Sequence, residues 1–72
     1  MNIGRYDYEE LRAAAISNPT TENVNNLGEW FDMYGSEFWN GEVYDADGYD
    51  IIPVIEWDEE NDTGRIVGYE MR

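Results

Sequence analysis

A long stretch without positive charge is the feature that most constrains this chain. Between Ala13 and Gly64 there are 13 acidic residues and no lysine, arginine or histidine. The whole chain carries 17 acids against four arginines, a formal net charge of −13. Carboxylates at this density repel one another in a compact state, and a net charge of about 2–8 already keeps a small domain soluble. Folding must therefore rely on apolar packing, and the excess negative charge calls for a further reason.

The chain has few means of stabilisation besides its aromatic side chains. Its 72 residues include no cysteine and no histidine, which excludes disulfides and thiolate or imidazole metal ligands. A chain of this length forms one small domain, here residues 1–72, of marginal stability. Three tryptophans, six tyrosines and two phenylalanines supply the core, since each can bury roughly 150–250 Å². This aromatic content also argues against disorder.

The first half of the chain is predicted to form two helices. The first begins near Asp7, which together with Glu10 resembles a capping box, and it ends at Asn18, because the residue before a proline leaves the helical region. Its apolar face consists of Tyr8, Leu11 and Ala15.

The second helix is predicted to be capped by Thr20 and terminated by Gly35 as the glycine that follows it. Its apolar stripe, for which core packing is the simplest interpretation, consists of Val24, Leu27, Trp30, Phe31 and Tyr34.

The second half is predicted to form antiparallel strands. Asp47-Gly48 lies between two alternating segments and favours a two-residue type I′ hairpin loop. Pro53 lacks an N–H, so the long central segment is expected to be an edge strand or bulged there. A last strand is expected to place Val67, Tyr69 and Met71 on one face. The predicted fold is α+β, with two helices packed on one face of a three-stranded antiparallel sheet in the order α-α-β-β-β.

The stretch YDADGYD invites comparison with a calcium-binding loop. If Gly48 takes the sixth position of an EF-hand, Asp45 and Asp47 occupy positions three and five. Val43 and Val54 then occupy the first and twelfth positions, where carboxylates are needed. The sequence therefore predicts no metal site and no cofactor, and a turn is the better interpretation.

Catalysis and nucleic-acid binding are both disfavoured. Ser17 and Ser36 lack a histidine, lysine or cysteine partner, and a domain this small has little room for a cleft that would perturb paired carboxylates. No catalytic residues are predicted. Affinity for DNA or RNA rests mainly on lysine and arginine, so this chain is repelled by nucleic acid.

The same charge favours a partner that itself binds nucleic acid. Carboxylates on one face of a strand lie about 6.6 Å apart, which imitates a row of phosphates, and they pair bidentately with arginine. The predicted partner-binding acids are Glu42, Asp45, Asp47, Asp50, Glu56, Asp58, Glu59, Glu60 and Asp62. The aromatic anchors among them are Trp39, Tyr44, Tyr49 and Trp57, although core packing also accounts for any one of these.

In size and charge, and in stretches such as WDEEND and YDADGYD, the whole chain resembles small, acidic, cysteine-free phage proteins that inhibit bacterial defence. These are the anti-CRISPR proteins and the anti-restriction DNA mimics. The resemblance implies an inhibitor that acts in the cytoplasm of an infected bacterium. Its implied partner is a basic nucleic-acid-binding protein such as a CRISPR effector nuclease, which holds its heteroduplex in a positive channel.

Two other interpretations remain open. A non-enzymatic antitoxin or adaptor that binds a basic partner, or a second copy of itself, has the same composition, so the protein is expected to be a monomer or a homodimer. Adaptation to high salt also produces acidic, lysine-free surfaces. No secretory signal or apolar membrane span is recognised, and anionic lipid surfaces repel such a chain.

Overall fold

The elements of secondary structure follow one another as the sequence predicts. A computed structural model describes residues 3–72. Its helices and strands are α1 (Tyr8–Ser17), α2 (Thr21–Tyr34), β1 (Tyr44–Ala46), β2 (Tyr49–Asp58) and β3 (Thr63–Met71). Short 3-10 helices precede α1 (Arg5–Asp7) and follow α2 (Ser36–Phe38). The sheet is antiparallel with strand order β1-β2-β3, so the predicted α-α-β-β-β arrangement is confirmed.

The boundary between the two helices is set by local sequence. α1 stops at Ser17, and Asn18 is its C-cap residue, as expected before Pro19. The Thr20 side chain accepts a hydrogen bond from the N–H of Asn23 at 3.2 Å, which caps α2 as predicted. No helix in the described part of the chain has the length and apolar character needed to cross a membrane.

Two predicted helix ends are wrong in detail. Asp7 is the N-cap residue of α1, but its carboxylate accepts a hydrogen bond from the N–H of Gly4 at 2.8 Å instead of capping α1. Gly35 is the C-cap residue itself, with φ −95°, and does not adopt the left-handed conformation. Glycine is required there because a Cβ would lie 2.5 Å from Cδ1 and 2.7 Å from Cα of Phe31.

The β1–β2 hairpin closes through the predicted two-residue turn. Asp47 and Gly48 both have positive φ, 53° and 88°, as a type I′ loop requires. β1 is short and pairs with only the first three residues of β2. The pair farthest from the turn is Tyr44 with Ile51. Beyond Ile51, β3 is the only strand that pairs with β2 within residues 3–72.

The β2–β3 ladder contains one irregularity. Val54 pairs with Gly68 and Ile55 pairs with Ile66, which leaves Val67 without a partner on β2. The extra residue of this β-bulge lies on β3, so β2 is not itself bulged; Pro53 lies where β2 is an edge strand, the other arrangement that its missing N–H allowed. Tyr69 pairs with Pro53 and Met71 pairs with Ile51, whereas the bulge interrupts the predicted alternation at Val67.

The core lies between the helices and the paired region of β1 and β2. Its buried residues are Leu11, Ala15, Leu27, Trp30, Phe31, Ala46 and Ile51. The rings of Phe31 and Tyr44 stack with centroids 4.9 Å apart, and the indole N–H of Trp30 donates to the carbonyl of Arg5 at 3.1 Å. Tyr34, predicted in the apolar stripe of α2, lies at the margin of this core: it is 37% exposed, and its ring centroid is 6.0 Å from that of Trp30.

Helix α2 packs closely on β3. A Cβ at Gly28 would overlap the ring of Tyr69, so the glycine allows the helix to approach the strand. The side-chain carbonyl of Asn25 accepts a hydrogen bond from the N–H of Tyr69 at 2.9 Å. The helix therefore satisfies one backbone N–H on the outer edge of β3, which would otherwise be left unpaired.

Candidate protein-interaction surface

Eight of the nine predicted partner-binding acids fall into two groups at opposite ends of β2, and the ninth, Glu42, lies in the loop before β1. Asp45, Asp47 and Asp50 surround the β1–β2 turn, whereas Glu56, Asp58, Glu59, Glu60 and Asp62 surround the β2–β3 turn. At the usual rise of a strand, the two turns at the ends of β2 lie about 30 Å apart, and the nearest acids of the two groups, Asp50 and Glu56, lie about 20 Å apart. The sequence-predicted acids therefore form two patches and not one continuous row.

Acids of the first group shape the turn that carries them. The carboxylate of Asp45 accepts a hydrogen bond from the N–H of Gly48 at 3.0 Å. Asp47 lies in the left-handed region and forms a salt bridge with Arg12 at 2.9 Å. Asp50 lies directly opposite Asp45, so their like charges face each other across the two strands. The N–H groups of Glu42 and Val43, in the preceding loop, donate to the side chain of Asn40.

Two acids of the second group also have partners within the chain. The carboxylate of Asp58 accepts hydrogen bonds from the side chain of Asn61 at 2.8 Å and from the N–H of Glu60 at 3.0 Å. These bonds, with the Asn61 side chain contributing most, lower the pKa of Asp58. Glu56 forms an exposed salt bridge with Arg65 at 3.2 Å.

Three acids at the β2–β3 turn are available to a partner. Within residues 3–72, no salt bridge or hydrogen bond involves the carboxylates of Glu59, Glu60 or Asp62, and all three residues are exposed. Asp62 has φ 53°, so it also shapes the turn through its backbone.

The predicted aromatic anchors divide between core and surface. Tyr44 stacks on Phe31 in the core and is not a free anchor. Trp39 and Tyr49 are 59% and 40% exposed. Trp57 is 57% exposed and lies beside the second acidic group.

Beyond the helices, the β2–β3 hairpin continues as a free ribbon. Every residue from 55 to 67 is exposed, and we call this segment the hairpin arm. The molecule accordingly measures 39 Å along its longest axis and 24 and 23 Å along the others. The arm carries five acids and one arginine, Arg65.

One side of the hairpin arm is apolar. Ile55 and Trp57 alternate along β2 on the same face, and Ile66 is the partner of Ile55 on β3. Ile55 is 61% exposed and Ile66 is 47% exposed. Trp57 and Ile55 both lie over Gly64, where a Cβ would come within 3.0 Å of the indole ring. Acidic and apolar surfaces therefore lie side by side on the arm.

Sequence reasoning missed Ile55 and Ile66 as surface residues. Their alternation with polar residues indicates only which face of a strand they occupy. Whether a helix covers that face depends on how far α1 and α2 extend over the sheet, which no local pattern encodes. The length of β2 was the one available signal that part of the strand extends past its neighbour, since β2 is seven residues longer than β1.

A cluster at Asp32 was also not predicted. The hydroxyl of Tyr44 donates to the Asp32 carboxylate at 3.1 Å, and the hydroxyl of Tyr69 donates to the same carboxylate. Burial, followed by the hydrogen bond to Asp32, raises the pKa of both tyrosines. The three residues join α2 to β1 and β3, so we assign this cluster a structural role.

Within residues 3–72, no group of three or more acidic side chains converges as a set of metal ligands. Comparison with protein-family models, with curated proteins and with solved structures found no significant match. The geometry of the hairpin arm and the charge of the chain are therefore the features that bear on function.

Proposed function

We propose that the protein is a phage-derived, non-enzymatic inhibitor of a bacterial defence nuclease. It occupies the DNA-binding surface of that nuclease, for example a CRISPR effector, through acidic mimicry of DNA, and it acts in the cytoplasm of the infected cell. The observation that carries the proposal is the hairpin arm, whose unpaired acids project beyond the folded body beside an exposed tryptophan.

The charge of the arm supports a basic partner. Five acids and one arginine occupy a ribbon that is exposed on both faces, and Glu59, Glu60 and Asp62 have no partner within the described residues. Charges arranged in this way steer a basic surface toward the arm and disfavour acidic ones. Arginines that read DNA or phosphate bind carboxylates in the same bidentate manner.

Spacing supports mimicry of a duplex over simple charge attraction. Glu56 and Asp58 project from the same face of β2 about 6.6 Å apart. The turns that carry the two acidic groups lie at the ends of β2, about 30 Å apart, which is close to the pitch of one turn of B-DNA, about 34 Å. A nuclease channel that binds phosphates on successive turns can therefore contact both groups.

The apolar face of the arm supports a protein partner. Exposed tryptophan and isoleucine side chains bordered by charge are typical of the centre of a protein–protein interface. Trp57 supplies such an anchor next to the acids that provide complementarity.

A gel-shift competition tests the proposal. Guide-loaded CRISPR effectors and a restriction enzyme bind their target DNA at about 0.15 M salt, where charges more than about 8 Å apart are screened. We expect the protein to displace DNA from one of them. The triple variant Glu59→Gln, Glu60→Gln, Asp62→Asn should lose this activity and remain folded.

The matched control is the triple variant Glu10→Gln, Glu22→Gln, Glu37→Gln, which removes the same charge from exposed sites on the helical layer. It should compete as well as the original protein. Equal loss in both variants, or full activity of the arm variant, would overturn mimicry by the arm.

The alternative function is an antitoxin or adaptor that binds a basic partner other than a nuclease. The hairpin arm would bind such a partner in the same way, because its charge and exposed apolar side chains do not identify the partner. Absence of competition across the nuclease panel, together with capture of a basic toxin, would favour this alternative.

A further inference from the structure

The edge of β2 that faces away from β3 is unpaired along the hairpin arm. The pairing of β1 with β2 stops at the Tyr44–Ile51 pair. Within residues 3–72, no other backbone segment hydrogen-bonds to β2 between Pro53 and Asp58 on that side. An unpaired edge of this kind is a template for an added strand.

The pairing pattern shows which backbone groups lie on this edge. Asp50 and Arg72 exchange two hydrogen bonds of 2.9 Å, so the backbone of Asp50 faces β3. Because backbone groups alternate along a strand, those of Pro53, Ile55 and Trp57 face the opposite side. The edge therefore offers the N–H groups of Ile55 and Trp57 and the carbonyls of all three residues.

Side chains beside this edge add specificity to the backbone groups. Ile55 and Trp57 lie on one face of the edge, and Glu56 and Asp58 lie on the other. An incoming strand with alternating apolar and basic side chains would place the first set on Ile55 and Trp57 and the second set on the two carboxylates. Pro53 limits the length of such a strand, because Pro53 has no N–H to donate to it.

We propose that the free edge of β2 at Pro53–Asp58 receives an extended, basic strand of the partner protein, which adds to the sheet as a fourth strand. Complementary charge supports this occupant. A second copy of the chain brings another 13 net negative charges to the same edge and is disfavoured. The acids therefore protect the edge against self-association while leaving it open to a basic strand.

This inference rests on the proposed function, because it specifies how the basic partner of the arm is bound. It makes a separate prediction, since mimicry of phosphates requires only carboxylates whereas strand addition requires backbone N–H groups on both chains.

The experiment uses a short synthetic peptide in which arginine and valine alternate, added to the ¹⁵N-labelled protein. We expect the amides of Ile55 and Trp57 to shift and to exchange more slowly with solvent, because the peptide carbonyls accept their hydrogen bonds. The same peptide with N-methylated valines retains its charge and should bind about tenfold or more weakly, since its donors are lost.

Two protein variants locate the site. Ile55→Pro removes an N–H from the free edge without removing a bond to β3, and it should lower affinity for the peptide. Ile55→Val keeps the N–H and should bind nearly as well as the original protein. The N-methylated peptide provides the same test on the unaltered protein if Ile55→Pro fails to fold.

Equal binding of both peptides, binding of neither, or equal binding of a peptide that alternates glutamate and valine would overturn the inference. A protein that already dimerises through this edge would overturn it as well, because a second copy would then be the occupant. Strand addition without competition in the nuclease panel would keep the edge site and defeat the proposed inhibitor. Competition in the nuclease panel, together with equal binding of the two peptides, would support the proposed inhibitor and defeat the edge site.

Discussion

The guanidinium of Arg12 on α1 contacts the carboxylate of Asp47 in the β1–β2 turn at 2.9 Å and that of Glu9 at 2.8 Å. Most of the Arg12 side chain is covered, whereas the side chain of Asp47 is 70% exposed. The pair links the first helix to the turn at which one acidic group is assembled. Asp47 therefore has an intramolecular role before any partner binds.

We expect Asp47→Asn to lower the free energy of unfolding by less than about 1 kcal/mol, because a salt bridge whose carboxylate is exposed contributes little. Asparagine also tolerates the positive φ of this position. Urea unfolding of this variant, of Arg12→Met and of the double variant measures the coupling between the two residues. A coupling energy well above this value would show that the pair is shielded from solvent.

Gly28→Ala should destabilise the protein although it lies within a helix. At an exposed helical position this change stabilises by about 0.5–1 kcal/mol. Here the added Cβ overlaps the ring of Tyr69, so we expect a loss of about 1–3 kcal/mol. Thermal unfolding followed by circular dichroism gives the comparison with Asn26→Ala on the same helix, which should be neutral or stabilising. A stabilised Gly28→Ala protein would contradict the close packing of α2 on β3.

Two tryptophans should respond oppositely to truncation. Trp30 is 5% exposed and its N–H is bonded to a backbone carbonyl, so Trp30→Ala should cost about 3–5 kcal/mol. Trp57→Ala on the hairpin arm should cost about 1 kcal/mol or less, the scale of a cross-strand contact, while weakening partner binding. Chemical unfolding and the gel-shift competition separate the two effects. A large loss of stability in Trp57→Ala would mean that the arm is part of the core.

The cluster at Asp32 predicts a loss of stability in alkali. The pKa values of Tyr44 and Tyr69 are raised in the folded protein, and an unfolded tyrosine ionises at about pH 10. Their contribution is therefore fully present below about pH 10 and is lost as the pH rises from there through the folded pKa values. The free energy of unfolding, measured against pH, should fall in this window, and the fall should be smaller in Tyr69→Phe. The same slope in both proteins would argue against the cluster.

Local signals in the sequence were sufficient for the arrangement of elements. Thr20 and Asn18 mark helix ends through their immediate neighbours, and Asp47-Gly48 specifies its turn through backbone conformation alone. Each of these acts over a few residues, which is why the α-α-β-β-β order could be predicted.

The candidate site was less predictable because it depends on distant contacts. Asp32 and Tyr69 are 37 residues apart in the chain, and no pattern joins them. The bulge at Val67 depends on the register of two strands, which a sequence read segment by segment does not encode. The grouping of the acids at two ends of β2 likewise follows from which strand connects the turns.

The exposure of residues 55–67 has a consequence for how such a protein can diversify. Because the side chains of the hairpin arm are exposed, we expect most substitutions there to leave the stability of the domain almost unchanged. The buried residues, by contrast, tolerate little variation in volume. If the arm binds a partner as proposed, recognition and folding are specified by separate parts of the chain, and a new partner can be acquired by mutating the arm alone.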